Sequence, residues 1–260
     1  MTDQTAPPPS IIPEVRAITT DDIRAVLRQG MADFKAAPAF GILFASVFVA
    51  GGLLLYLVLL AVGQLWWLVP LSAGFPIAGP FLAVGLYEVS RRLEKGEKLD
   101  FNEVLGVVWR QKDRQIPSMA VVILVFFMFW VFVAHTVFAL FFGLQAFRGS
   151  TLEMVLSPNG LAMLAVGTAV GAVMVGVLFS LMVISLPLLL DKEVDFVTAM
   201  ITSWQAVQAS PGPMLTWGAI IAGMVFVAML PGFLGLMVVM PVLGHASWHL
   251  YRKVLPDDAA

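Results

Sequence analysis

Cysteine is absent from this chain of 260 residues. Its absence excludes disulfides, thiolate metal centres and cysteine nucleophiles, and leaves the redox compartment unmarked. Charge is scarce too: Asp, Glu, Lys and Arg make up 12% of the residues, where a soluble domain carries about 25%. Neither sign dominates, the formal net charge being −2, so the balance gives no reason to expect nucleic acid as a partner. Catalytic signatures are missing as well. The sequence has no Walker loop, no Gly-x-Ser-x-Gly, no His-Glu-x-x-His and no cluster of acids inside an apolar stretch. A non-enzymatic protein without a cofactor is the expectation. Residues 1–38 contain no apolar run, so no cleavable signal peptide is expected.

What fills the chain instead is apolar: 60% of the residues are hydrophobic, against roughly 45–50% in soluble domains. A soluble fold has no interior large enough for the excess, whereas a bilayer does. A helical crossing needs about 20 mostly apolar residues. Residues 40–63 meet this without a single charge, 68–89 are uncharged until Glu88, 117–144 hold only His135, and 161–190 hold no ionisable group. Residues 214–250 are too long for one crossing and contain Pro231-Gly232. They divide into 214–230 and 232–251, with a single re-entrant hairpin as the alternative. The expected fold is all-α: a polytopic helical membrane protein of six transmembrane helices.

Lys and Arg orient it. With six crossings, the N-terminal segment, the connections after the second and fourth crossings and the C-terminus share one side, and they carry fourteen of the fifteen basic residues. Only Arg148 falls opposite. The positive-inside rule then places both termini in the cytoplasm. Trp66 and Trp67 are expected at the outer interface, and Tyr87, Trp248 and Tyr251 at the inner one.

The cytoplasmic connections repeat one pattern. Asp100-Phe101 and Asp195-Phe196 lie 95 residues apart, as do Trp109 and Trp204. Phe101, Val104, Leu105, Val108 and Trp109 follow helical spacing, and Phe196, Ala199, Met200, Ser203 and Trp204 occupy the same offsets. Asp100 and Asp195 are natural N-caps, with Glu103 completing a capping box. A third copy begins at Asp22 and runs through Ile23, Val26, Leu27, Gly30 and Met31. Proline follows each copy: Pro38, Pro117, and Pro211 with Pro213. The unit is an amphipathic helix, a proline and two crossings, repeated three times at about 20–90, 100–190 and 195–253. Residues 16–255 then form a single membrane domain, with a disordered proline-rich tail at 1–15 and a short C-terminal tail at 256–260. Helices of this kind lie in the headgroup plane. Trp109 and Trp204 are expected as interfacial anchors, their rings turned onto the bundle or the acyl boundary. The helices either brace the bundle floor or form a collar for a partner or anionic lipid; the middle one, with seven basic residues in its connection, suits lipid best.

Candidate sites are few. His135 lies mid-crossing, while His245 and His249 are one helical turn apart near the inner surface. Ionisable groups in a membrane mark functional sites, and paired histidines on facing helices ligate haem or a metal. The competing reading has His135 hydrogen-bonded, neutral, to a neighbouring helix. In the second crossing Pro70, Gly74, Pro76, Gly79 and Pro80 should interrupt a regular helix, and such breaks line ligand cavities in transporters. Gly167 and Gly171 form a Gly-x-x-x-Gly pair that favours close packing within the chain. Glu88 and Arg92 read as a surface i, i+4 pair.

The paired Asp-Phe-x₇-Trp connectors, with Ala-Gly-Pro-Phe-Leu-Ala-Val-Gly-Leu-Tyr-Glu-Val-Ser-Arg-Arg-Leu-Glu-Lys-Gly-Glu at 78–97, resemble a bacterial family of predicted integral membrane proteins, domain of unknown function 2189. The resemblance runs over about 15–253. It implies a multi-pass protein of the bacterial cytoplasmic (inner) membrane and supplies no catalytic residues. Some members carry a cytochrome c oxidase label, but three histidines are too few for a haem–copper core. The leading expectation is a scaffold or accessory subunit of a membrane complex, a respiratory one included, whose partners are the lipid bilayer and another membrane protein. The alternatives are a binder or carrier of a lipid or other apolar molecule at the broken second crossing, and a haem- or metal-binding protein using His135 and His245.

Overall fold

A computed structural model describes residues 14–62, 72–143 and 151–256. The expectations for the N-terminal tail, Trp66, Trp67, Pro70 and Arg148 fall outside the described residues. Among those residues every regular element is helical, as composition requires. The α-helices are α1 (Thr20–Ala36), α2 (Pro38–Val62), α3 (Gly74–Lys95), α4 (Phe101–Arg110), α5 (Ile116–Phe142), α6 (Thr151–Leu156), α7 (Pro158–Met182), α8 (Ser185–Asp191), α9 (Phe196–Ala209), α10 (Pro211–Met229) and α11 (Leu236–Val254).

Local chemistry starts the connector helices. Asp100 Oδ1 accepts from Asn102 N at 2.9 Å and Glu103 N at 3.1 Å, and Asp195 Oδ1 accepts from Thr198 N at 2.9 Å. Two details differ from the sequence reading. The N-cap of α1 is Thr19, and Asp22 is its capping-box partner three residues on. Glu103 turns away from Asp100 and pairs with Arg92 instead.

Four helical segments are long and apolar enough to cross a membrane: Pro38–Val62, Ile116–Phe142, Pro158–Asp191 and Pro211–Met229. The third is not one uninterrupted helix. α7 ends at Met182 and α8 begins at Ser185, two residues before the buried Pro187, which thus falls in a first turn where its missing N–H costs no bond. At this break the backbone N–H of Ile184 donates to Ser203 Oγ at 3.1 Å, so α9 caps a buried donor. Residues 214–251 form two helices on either side of Pro231-Gly232. Gly232 and Phe233 both take left-handed backbone (φ 63° and 67°) in the turn between α10 and α11. For Phe233 that conformation costs about 1–2 kcal/mol, and its ring packs against Gly52 on α2.

Both α3 and α11 run antiparallel to α2. Along α3, Gly85 faces Phe44 and Phe75 faces Gly51; along α11, Pro241 faces Gly41 and Phe233 faces Gly52. From Gly74 onward the segment expected as the second crossing is a single helix. Pro76 lies in the first turn of α3, where no carbonyl awaits its missing N–H, and Pro80 sits buried inside the helix.

The principal core lies at the connector end. Trp217, Trp248, Tyr251, Ile116, Met119, Leu188 and Leu250 are fully buried there. The far halves of the apolar helices stay exposed, Leu60 at 63% and Leu140 at 79%. That distribution suits a bundle whose other solvent is hydrocarbon.

Candidate functional site

Two close helix crossings assemble a polar cluster at the connector end. A Cβ on Gly30 of α1 would stand 2.5 Å from Val242 O, and one on Gly244 of α11 would stand 2.5 Å from Leu86 Cδ1 on α3. Only glycine permits these approaches. They bring α1, α3 and α11 together just where each turns from apolar to polar.

Asp33, Ser90, His245 and His249 meet there. His249 Nε2 lies 2.8 Å from Asp33 Oδ2, and Ser90 Oγ lies 2.8 Å from His245 Nδ1. A hydrogen bond from Ser90 is among the interactions that favour the ionised Asp33 carboxylate, and the direction of the Ser90–His245 contact follows the imidazole tautomer. Burial opposes ionisation of Asp33, but hydrogen bonds from His249 and Ser90 and the nearby histidine charges outweigh it. The carboxyl therefore sits below its ordinary value. Ser90 and His245 are fully buried, and His245 Nε2 has no hydrogen-bond partner.

A belt of ion pairs surrounds this chain of hydrogen bonds. Glu88 is fully buried and pairs with Arg91 and Arg92, each at 2.7 Å. This corrects its reading as a surface group: the i, i+4 pair exists, but inside the protein. Arg92 continues to Lys98 O and Glu103. Glu94 accepts from Trp248 Nε1 at 2.9 Å and Arg252 Nε at 3.1 Å, and Tyr251 donates to Asp191 at 2.7 Å. These bonds tie α3, α4, α8 and α11 together, and the Asp33–His249 bond adds α1.

The residue types of a serine hydrolase are present without its order. Nucleophilic serine needs a base that a carboxylate orients from the far ring nitrogen. Here Asp33 holds Ser90 and His249, while the far nitrogen of His245 is empty.

His245 and His249 do face the same way, but toward different partners. His135 stands apart from them on an exposed face of α5, its Nδ1 bound 2.8 Å from Val131 O. Its partner is thus its own helix, not a neighbour. Among the described residues no group of three or more His, Cys, Asp or Glu is placed to hold a metal.

The positions expected to line a cavity are divided. Gly74 borders a cleft of about 160 Å³ between α2 and α3, with Gly51 and Leu54. Pro76 borders another of about 350 Å³ with Ile123, Phe127, Trp130, Gly171 and Met174. A third cleft, of about 340 Å³, continues past Trp130 and Gly171 to Val137 and Met163. Gly79 faces open space, and Pro80 is buried. Two of these clefts thus follow the α5–α7 groove, and the one beside Gly74 lies between α2 and α3. A Cβ on Gly171 would lie 2.9 Å from the Trp130 ring, whereas Gly167 meets nothing within 4 Å.

Neither connector tryptophan turns onto the bundle. Trp109 is 69% exposed and Trp204 40%. On α4 the bundle is met by Val104 and Val107 instead.

Residues 68–191 match the model of a family described as predicted integral membrane protein (DUF2189). The resemblance read from the sequence is thereby shown over that stretch, and the protein is an integral membrane protein of helical type. No curated protein and no solved structure matches the chain.

Proposed function

We propose that this chain is a non-enzymatic scaffold or accessory subunit of a bacterial cytoplasmic membrane, crossing six times with both termini in the cytoplasm. The observation that carries the reading is the contrast between its two ends. The buried charged groups at the connector end are committed to one another, while the groove along Trp130 and Gly171 presents apolar surface sideways. Helices associate in lipid through close packing at small residues, and Gly167 and Gly171 supply them beside that groove. α3 and α11 provide the crossings beyond the four most apolar segments. Each lies antiparallel along α2, so a membrane-spanning α2 carries both into the bilayer. The three connector helices are three copies of one unit, each capped at its start and followed by a proline-initiated long helix.

A second reading has a specific observation behind it. The cleft beside Pro76 is apolar on every side and offers about 350 Å³, which suits a lipid or another apolar small molecule. One experiment separates the two. A photo-reactive residue in place of Val175, which lines that cleft and is 66% exposed, is activated in native membranes. A discrete protein adduct supports the subunit reading. Adducts only with lipid-sized molecules overturn it in favour of the binder.

A further inference from the structure

The exposed face of α4 has an occupant written in its chemistry. Phe101, Leu105 and Trp109 form one stripe at i, i+4 and i+8, exposed 44%, 43% and 69%. Water is a poor neighbour for such a stripe, and the bundle already meets the helix through Val104 and Val107. Its level relative to the apolar helices is fixed at both ends. At one end Phe101 stacks on Phe40, in the first turn of α2, with ring centroids 4.0 Å apart. At the other, a single 3₁₀ turn leads from Arg110 into α5 at Ile116. A helix of about 15 Å thus lies between the starts of two membrane-crossing segments, at the depth where headgroups meet acyl chains.

Cations flank the stripe. Lys95, Lys98, Arg110 and Lys112 are exposed, and Lys112 Nζ sits 4.2 Å over the Trp109 ring. Of the acids close by, Asp100 caps α4 and Glu103 pairs with Arg92, while Glu97 and Asp113 are exposed beside the cations. By contrast α9 exposes Val197, Ile201 and Trp204 in a matching way but contains no Lys or Arg.

We propose that α4 is an anionic-phospholipid recognition surface. Its aromatic stripe enters the acyl boundary, and Arg110 and Lys112 hold the headgroup phosphate charge, while α9 inserts without regard to lipid charge. The proposal rests on the six-crossing reading and adds a lipid class to it.

The chain's lack of cysteine supplies the test, since Asn102→Cys on α4 and Gln205→Cys on α9 each offer one spin-label site. Full-length protein in neutral micelles is titrated with short-chain phosphatidylglycerol or phosphatidylcholine. The label at 102 should respond to phosphatidylglycerol at low salt and lose the response at high salt. The double variant R110Q/K112Q should weaken that apparent affinity about 30-fold, as expected for two basic residues at an anionic surface. The label at 205 should respond alike to both lipids. Equal responses to the two lipids at 102, an unchanged affinity in the double variant, or a response only to a co-purifying protein overturns the proposal. Reaction of the cysteine at 102 with a membrane-impermeant reagent in intact cells would instead overturn the topology beneath it.

Discussion

Asp33 on α1 and His249 on α11 stand 2.8 Å apart across 216 residues of sequence. The bond closes the first described helix onto the last, and it depends on the state of one carboxyl group. A carboxyl whose folded-state value is depressed contributes stability above its unfolded value and loses it as pH falls through the folded one. The ordinary value here is 3.8. Thermal unfolding of the purified protein should therefore show a stability gap between parent and Asp33→Asn that is constant at neutral pH and closes below pH 3.8. Parallel acid limbs for the two proteins would count against the bond.

Glu88 is the buried charge on which α3 depends. Replacing it with alanine strands Arg91 and Arg92, at a cost on the order of 3–5 kcal/mol. Glu103, more than half exposed at its end of the same network, should cost less than about 1 kcal/mol when replaced. Denaturant unfolding in mixed micelles measures both, and similar losses would show that the network is not organised around Glu88.

Glycine at 30 is required by a backbone, not by a turn. Gly30→Ala drives a methyl into Val242 O and should destabilise by about 1–3 kcal/mol. Gly79→Ala, on α3, meets open space and should be neutral or stabilising by up to about 1 kcal/mol. The comparison needs only two melting curves.

Reporter fusions after Lys98, Asp195 and Ala260 should read cytoplasmic, and one near Ser150 periplasmic. A periplasmic signal from the C-terminal fusion would remove α11 as a crossing and leave five.

Local chemistry was the legible part. Asp100 and Asp195 announce helix starts because a cap acts within three residues, and the length of apolar runs located α2, α5 and α10 to within two or three residues. Thr19 was passed over because Asp22 imitates a cap one turn later. Pro76 and Pro80 suggest a broken helix, yet Pro76 falls in the first turn of α3, where proline removes no bond, and Pro80 is accommodated inside the helix. For Trp109 and Trp204 helical spacing defines a face without saying whether protein or lipid covers it, and of the two surroundings expected their exposure fits the acyl boundary rather than the bundle. His245 and His249 could be singled out, but not their partners. Asp33 and Ser90 lie on other helices, and no local signal links them.

α11 packs against α1, α2, α3, α8 and α10, and the backbone N–H of Arg16 donates to Val254 O at 2.8 Å. The ribosome makes this helix after all of those neighbours. Until it emerges, Gly30 has no Val242 or Ala246 to close upon, and Glu94 and Asp191 wait in a half-built vestibule for Trp248, Arg252 and Tyr251. Closure of this end of the bundle therefore has to wait for α11, and a chain that stops short of it leaves the other helices unlatched.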